Sequence, residues 1–186
     1  MKKSLFLAAA LILAVAFLSG CGGSASKSAF GGDIMREKEA TKKMAAEMKA
    51  RGGTPLMLFQ HVNLDSDFVR FIRQDQKKPA NVDEFMWSAT TGWKGPTPVR
   101  LTGAGKLEDN IYNADRVNWE AIPVFYANVE KMAKEKGMEK LKTDGIMIYF
   151  NDPDDIKFSA TVKAERNEAS ATGDIKTGEV TYFKIR

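Results

Sequence analysis

The eight residues from Ile156 to Lys163 read IKFSATVK, and their alternation decides the fold class. Apolar side chains stand at Ile156, Phe158, Ala160 and Val162, with polar side chains between them. A period of two predicts a β-strand with one buried and one solvated face, which is typical of antiparallel sheets. Such a strand needs neighbouring strands and an apolar layer over its buried face, and the flanking sequence offers both.

The sequence around this strand supplies its neighbours and a covering helix. Further strand-like runs span 145–150, 167–172 and 179–185. Before them, apolar side chains recur at the spacing of an amphipathic helix, at Ile122, Phe125, Val129 and Met132. Pro123 fits only a first helical turn, so this helix is predicted to begin near Ile122 and to end at Gly137.

The first half of the chain repeats this order. Asp33 is predicted as the N-cap of a helix with an apolar stripe through Met44 and Met48, which Gly52-Gly53 ends. Strand-like runs follow at 55–62, 68–73, 82–89 and, as a shorter piece, 98–101. Helices that alternate with groups of strands predict an α+β fold, with helices packed on an antiparallel sheet. We therefore expect two tandem helix-plus-strands units, 33–101 and 118–186, joined by a polar linker, 102–117.

The last hairpin of the chain resembles a known family. Residues Asp174 to Val180 read DIKTGEV and are similar to the strand–turn–strand that closes PepSY-type domains. Gly178 supplies the positive φ that a tight hairpin needs. The resemblance is confined to the second half, and Thr-Gly-Glu is also common in unrelated hairpins. It implies a small sheet with a packed helix, in a binding or inhibitory module rather than a catalyst; the first half departs from it, since 74–82 holds no such turn.

The amino terminus has the features of an export signal. Lys2 and Lys3 precede an apolar run from Leu5 to Leu18. A basic start followed by a short apolar core is typical of a secretory signal peptide. The run is shorter than the roughly 20 residues that a membrane-spanning helix needs. We expect residues 1–20 to be removed as a signal peptide.

The end of that run resembles the lipobox of bacterial lipoproteins. Leu18-Ser19-Gly20-Cys21 joins a leucine and two small residues to the one cysteine of the chain. The resemblance implies that signal peptidase recognises Leu18, Ser19 and Gly20, cuts after Gly20, and leaves Cys21 with a diacylglycerol thioether and an amide-linked fatty acid such as palmitate. The alternative is an ordinary cleavage site beside a structural cysteine. Lipidation is favoured because an unpaired thiol is a liability in an oxidising compartment.

Lipidation would fix the location and the reach of the mature protein. Several acyl chains on Cys21 attach a protein to a membrane durably, whereas a single chain binds only marginally. Gly22 stands where an aspartate would resemble an inner-membrane retention signal, so in a cell with two membranes we expect the periplasmic face of the outer membrane. Residues 21–32 are rich in Gly, Ser and Ala and are predicted to form a flexible tether, with a reach of about 20 Å.

Charge and residue content argue against several classes of function. The net charge of +4 includes Lys2 and Lys3, and no stretch gathers the basic residues that nucleic-acid binding needs. His61 is the only histidine and no Gly-x-Ser-x-Gly motif is present, so we expect no catalytic triad. Zinc needs three or four ligands, of which only His61 remains after lipidation. We interpret His61 as a partly buried structural residue and expect no catalytic residue, metal or cofactor.

Three polar segments resemble ligand-binding loops only in part. Asn63-Leu64-Asp65-Ser66-Asp67 mimics the start of an EF-hand loop, but Phe68 and Gln74 replace its glycine and its bidentate glutamate. Residues 151–155 (NDPDD) hold more carboxylates but form a predicted hairpin turn, where Asp and Asn occur without metal. Residues 101–106 (LTGAGK) lack the Walker spacing. We interpret all three as turns or solvated loops, with calcium at either acidic segment as the alternative.

Aromatic residues concentrate between Phe85 and Trp93. Trp87 is predicted to fill the core beneath the helices, and Trp119 to pack at the start of the second helix. Trp93 and Lys94 precede Gly95-Pro96 in a predicted loop. Because tryptophan is enriched in binding hot spots, Trp93 and Lys94 are predicted to contact a partner, with burial of Trp93 in the core as the alternative.

These features favour a non-enzymatic, lipid-anchored lipoprotein of the cell envelope that binds protein or peptide partners in the periplasm. The open edges of an antiparallel sheet can accept an extra strand from such a partner. One alternative is a hydrolase of envelope polymers that uses paired carboxylates, drawn from Asp65, Asp67, Asp83 and Glu84. Another is a structural spacer or assembly factor of a secretion or pilus system.

Overall fold

The structure, a computed structural model, describes residues 29–150, 152 and 154–186. The predicted signal peptide, Cys21 and most of the predicted tether lie outside the described residues, as do Asn151 and Pro153 of the acidic segment. The described residues fold into two α-helices on a large antiparallel sheet, which confirms the predicted α+β class.

The helices and strands follow one another in two groups. Helix α1, Lys38–Gly52, precedes five strands: β1 Met57–Phe59, β2 Val62–Asp65, β3 Phe68–Gln74, β4 Val82–Ser88 and β5 Gly92–Pro98. A connecting segment holds β6, Ile111–Asn113, between two short 3-10 helices, Glu108–Asn110 and Ala114–Arg116. Helix α2, Ala121–Glu135, then precedes four strands: β7 Lys142–Phe150, β8 Ile156–Lys163, β9 Glu168–Asp174 and β10 Val180–Ile185.

Pairing of β2 with β7 joins the two groups into one sheet. The main order across it is β5–β4–β3–β2–β7–β8–β9–β10, and every pair is antiparallel. Strand β1 also pairs with β3, at Leu58 and Arg73, and links it to β6. A helix followed by a four-stranded meander, first β2–β5 and then β7–β10, therefore occurs twice along the chain.

The core lies between the helices and one face of the sheet. The predicted alternation of β8 is confirmed, because its four apolar side chains are buried and the polar ones between them are not. The ring of Phe158 lies 5.4 Å from that of Phe125 in α2. Met44 and Met48 of α1 belong to the same apolar cluster, so a continuous core underlies both halves.

The ends of the helices agree with prediction for α2 but not for α1. Pro123 stands in the first turn of α2, and Gly137, with a φ of 77°, follows its last turn, as predicted. The prediction that α1 begins directly after Asp33 is wrong, because this helix begins at Lys38. The Asp33 carboxylate accepts the N–H of Met35 and so caps a separate turn, after which the extended backbone of Glu37 interrupts the helical path.

Two strand predictions in the first half are wrong. Strand β5 runs over Gly92–Pro98, where a loop was predicted, and the predicted strand 98–101 is not formed. Proline cannot donate to a sheet, but β5 pairs only with β4, and an edge strand tolerates it. The run predicted over 55–62 is divided into two strands, because Gln60 adopts a positive φ of 61° and donates its N–H to the Asn110 carbonyl.

The segment 102–117, predicted as a polar linker, also contributes to the sheet and to the core. It contains β6, and its Tyr112 is 1% exposed. On the opposite face of the sheet from the helices, Ile72, Val82 and Ile111 form a second, smaller apolar cluster. Val99 and Leu107 pack against that cluster, so the loop between β5 and β6 covers this end of the face.

The closing hairpin has the geometry that its sequence predicts. One carboxylate oxygen of Asp174 accepts the backbone N–H groups of Lys176 and Thr177, both at 2.8 Å. Gly178 has a φ of 76°, and its N–H returns to the Asp174 carbonyl. The turn is therefore fixed from within by Asp174 and by one glycine.

Candidate functional site

The face of the sheet that lies opposite α1 and α2 is the candidate site, and we call it the open face. Its side chains come from the alternate residues of β2–β5 and β7–β10 that do not point into the core. Within the described part of the chain, no helix covers this face, and only the β5–β6 loop covers one end of it. Antiparallel sheets commonly leave one face solvated in this way.

A line of eight side chains crosses the open face from one edge to the other. Each residue is the direct register partner of the next, so neighbouring Cβ atoms stand close together. We call this line the central row, and it consists of Lys94, Met86, Arg70, Asn63, Met147, Ser159, Thr172 and Tyr182.

Two large side chains of the central row are exposed to solvent. Met147 is 40% exposed and Tyr182 is 49% exposed, whereas the flanking Ile146 and Ile148 are buried. Methionine adapts its shape to a contacting surface, and tyrosine offers a rigid ring with a polar end. Arg70 is held in place by Glu84, which lies 2.6 Å away on β4. These side chains are of the kinds that contribute most to protein interfaces.

A depression lies at the middle of the open face, where the two halves of the sheet meet. Strand β7 has an irregular register between Thr143 and Ile146, and Gly145 adopts a φ of 89° there. A Cβ on Gly145 would stand 2.3 Å from the carbonyl oxygen of Leu64, so only glycine fits. The resulting cavity of about 160 Å³ is lined partly by side chains of Asn63, Asp144, Met147, Ser159 and Thr161. Its carboxylate, on Asp144, is paired with Lys163.

The two residues predicted to contact a partner lie on different faces. Lys94 is exposed and belongs to the central row. Trp93 is half-buried on the helix side, where its ring lies 5.9 Å from that of Phe71 and the Arg51 guanidinium stands 4.6 Å above it. The Trp93 side chain is therefore used in contacts within the protein, while the Lys94 side chain is exposed on the open face, where it can contact another molecule.

The other tryptophans lie where they were predicted. Trp87 is 2% exposed, and its ring lies 4.5 Å from that of Phe30. Trp119 is 8% exposed and precedes the first turn of α2. Phe30 thus places the start of the described chain against β4 and β5 on the helix side of the sheet.

The carboxylates of the hydrolase alternative do not all lie on the same face of the sheet. Asp83 and Glu84 are consecutive on β4, so their side chains point to opposite faces. Asp83 pairs with Arg73 at 3.2 Å, and Glu84 pairs with Arg70. Asp65 is exposed and accepts the N–H of Ser66. The structure therefore does not place Asp83 and Glu84 on either side of one substrate.

His61 and the buried Tyr112 are titratable side chains whose surroundings bear on catalysis or metal binding. Burial, and to a smaller extent the charge of Arg70, lower the pKa of His61 and so favour its neutral imidazole. Among the described residues, no three His, Cys, Asp or Glu side chains are grouped as metal ligands. The buried hydroxyl of Tyr112 has no hydrogen-bond partner among the described atoms, and burial raises its pKa.

A larger cavity, of about 640 Å³, lies at the end of α2. Its charged lining includes Arg36, which bridges to Glu130 at 2.9 Å and to the Tyr126 hydroxyl at 3.0 Å. Lys140, also in the lining, pairs with Glu165 at 3.0 Å. Arg36 and Lys140 are therefore engaged within the protein, and the rest of the charged lining includes Lys134 and Glu139, which are opposite in sign.

Comparison with protein-family models, curated proteins and solved structures found no match for this chain. Leu18, Ser19, Gly20 and Cys21 lie outside the described residues, so the lipobox rests on the sequence. None of the helices among the described residues has the length and hydrophobicity of a membrane-spanning segment.

Proposed function

We propose that this chain is a lipid-anchored, non-enzymatic lipoprotein of the cell envelope that binds a protein or peptide partner through the open face of its sheet. The observation on which the proposal depends is the central row, with Met147 and Tyr182 exposed on a face that no described helix covers. Interfaces are enriched in such side chains and commonly have a shaped pocket at their centre, as the depression beside Gly145 provides.

The lipobox and the tether support a location at a membrane. Residues 18–21 resemble a lipoprotein cleavage site, and Cys21 would attach the chain to the periplasmic face of the outer membrane. The position of Phe30 supports access to the open face, because its ring packs on Trp87 on the helix side. A tether that joins the body there leaves the opposite face of the sheet clear for a partner.

The closing hairpin supports a binding module rather than a catalyst. Its DIKTGEV sequence resembles that of PepSY-type domains, and we propose that each helix with its meander is a PepSY-like unit. Two such units side by side form one face of eight strands, wider than either unit offers alone. The partner would therefore contact both halves at once, across the junction of β2 and β7.

Photo-crosslinking in intact cells tests this proposal. The photo-reactive amino acid p-benzoylphenylalanine would replace Met147 or Tyr182 on the open face, or Lys131 as a matched control on α2, where the native side chain is 73% exposed. We expect the same partner adduct from positions 147 and 182 and none from position 131. Adducts of equal yield from all three positions, or none from position 147, would exclude the open face as the binding site.

A second variant makes this test specific. Met147→Glu adds a charge at the centre of the open face without removing a core contact, so the protein should still fold. We expect it to remove the adduct formed from position 182, because a shared partner must lose affinity at both positions. Retention of that adduct would show that Met147 is outside the contact.

A further inference from the structure

The two strands that end the main order of the sheet, β5 and β10, differ in their ability to accept another strand. Strand β5 pairs only with β4, and it contains Gly95, Pro96 and Pro98. Proline has no N–H to donate and protects an edge against pairing. The register of β5 with β4 is also irregular, between Glu84 and Met86. This edge is therefore blocked.

Strand β10 forms the other end of this order and lacks proline. Its register with β9 is also irregular, between Val180 and Tyr182, but residues 182–185 pair regularly with β9. It pairs only with β9, and its six residues, VTYFKI, include no proline or glycine. Three of them are β-branched and two are aromatic, types that an extended strand accommodates well, and the sixth is Lys184. Its outer backbone groups form a template for a further strand. From this asymmetry we propose that the β10 edge binds an extended partner segment by β-augmentation, and that this segment alternates apolar and acidic residues.

The side chains of β10 determine the chemistry of the segment. Phe183 and Ile185 lie on the helix side and pack against the core, so an added strand would place apolar residues beside them. Tyr182 and Lys184 lie on the open face. In the part of the chain that the structure describes, no carboxylate is within ion-pair distance of Lys184. An acidic residue on the added strand would supply that partner, because opposite charges on adjacent strands attract.

The position of β10 relative to the tether supports this use. Phe30 packs on Trp87 of β4 and on Trp93 of β5, so the tether joins the body beside the β5 edge. Strand β10 lies seven strands away in the sheet order. At a spacing of about 4.8 Å per strand, this is about 34 Å along the sheet. The β10 edge is thus the one farther from Phe30, close to where the described chain begins, and an added strand there would extend the central row beyond Tyr182.

The inference rests on the proposed partner-binding function and names the chemistry of the partner. The test uses the mature lipoprotein in detergent micelles with two acetylated eight-residue peptides, one alternating valine and glutamate, the other valine and lysine. Hydrogen–deuterium exchange of backbone amides is followed by mass spectrometry. We expect the valine–glutamate peptide to slow exchange in residues 180–185 and not in residues 92–98. A copy of that peptide with alternate amides methylated should give no protection, because it cannot pair with the edge.

Charge reversal supplies the decisive comparison. In Lys184→Glu, binding of the valine–glutamate peptide should weaken about fivefold or more, and binding of the valine–lysine peptide should strengthen by a similar factor. Equal protection of 180–185 by both peptides, or protection by neither, would overturn the inference. A dimer that protects 180–185 and excludes the peptide would also overturn it, in favour of a second copy as the occupant.

The two proposals can fail separately. If the valine–glutamate peptide protects 180–185 but crosslinks from position 147 are absent, the edge inference holds and the open-face proposal fails. If crosslinks from position 147 form but no peptide protects the edge, the open-face proposal holds and the edge inference fails.

Discussion

Gly145 of β7 lies directly against the backbone of Leu64 in β2, and a Cβ at Gly145 would stand 2.3 Å from the Leu64 carbonyl oxygen. These two strands form the only pairing between the two four-stranded meanders that the structure describes. The same glycine has a φ of 89° and lies in the irregular part of β7. One residue without a side chain thus allows both the junction of the halves and the depression in the open face.

Gly145→Ala should lower the free energy of unfolding by about 1–3 kcal/mol, because alanine is strained at this φ and its Cβ meets backbone rather than a movable side chain. Urea denaturation followed by circular dichroism measures the loss. Gly105→Ala is the matched control, since a Cβ there has no neighbour within 4 Å. A loss no larger than that of the control would show that β7 can shift away from β2 at no cost.

Phe158→Ala should cost about 3–5 kcal/mol, because it leaves a cavity beneath α2. Phe158 is fully buried, and its ring lies 5.4 Å from that of Phe125. Met147→Ala, on the open face of the neighbouring strand, should change the free energy of unfolding by no more than about 0.5 kcal/mol. Urea denaturation of both variants compares the buried and the open face of the sheet, and a large loss for Met147→Ala would contradict the placement of Met147 on the exposed face.

The contrast between these two residues shows how far the sequence predicts the fold. Alternation in β8 identifies Phe158 as buried, and helical spacing with Pro123 locates the start of α2, because both signals are local. Strand β5 was not predicted, because Gly95, Pro96 and Pro98 disfavour any strand that is not at the edge of a sheet. The sequence alone does not indicate which strand lies at the edge. The positive φ of Gln60 has no signature in its residue type.

The candidate site was harder to predict than the core. Alternation in the sequence indicates which side chains of a strand point away from the core. It does not indicate which of these side chains are neighbours on adjacent strands. Lys94 and Tyr182 belong to one row because of the β2–β7 pairing and the register of seven strand pairs, which connect residues far apart in the chain. Lys94 was predicted from its neighbourhood of Trp, Gly and Pro, whereas Met147 was not singled out, because a lone methionine in an apolar strand is more often buried.

Acid should weaken the closing hairpin through Asp174. Hydrogen bonds from the N–H groups of Thr177 and Lys176 lower the pKa of this carboxyl below its usual 3.8. Because the pKa is lower in the folded state, the stabilisation is present above about pH 4 and is lost as the pH falls through the folded-state pKa. Asp174→Asn should therefore lose less stability than the wild type between pH 5 and pH 2, as measured by urea denaturation at each pH.

The control for this measurement is Asp152→Asn, because the Asp152 carboxylate also accepts backbone N–H groups in a turn, those of Asp154 and Asp155, but is exposed to solvent. The stability of Asp152→Asn should depend on pH in the same way as that of the wild type. An equal effect of the two substitutions would show that the loss in acid reflects turn carboxylates in general and not Asp174.

Cys21→Ala should release the protein from membranes, because it removes the sulfur to which lipid would be attached. Detergent phase partitioning should move the protein from the detergent phase to the aqueous phase, and mass spectrometry should show the loss of the acyl groups. Ser24→Ala, three residues further along the tether, should remain in the detergent phase. If Cys21→Ala stays bound to membranes with the mass of the unmodified chain, attachment does not depend on lipid at this residue.

Trp93 and Lys94 should respond differently to substitution, although they are adjacent. Trp93→Ala should lower the free energy of unfolding by about 1–3 kcal/mol, because the indole packs on Phe71 and beneath Arg51. Lys94→Glu should leave stability within about 0.5 kcal/mol of the wild type, because the ammonium is exposed, but should reduce the adduct formed from position 147. The two measurements, urea denaturation and crosslink yield, separate packing from partner contact. An unchanged crosslink yield in Lys94→Glu would limit the partner contact to the part of the central row beyond β4. If Trp93→Ala instead keeps full stability but gives a reduced crosslink yield, the indole of Trp93 is the side chain that contacts the partner.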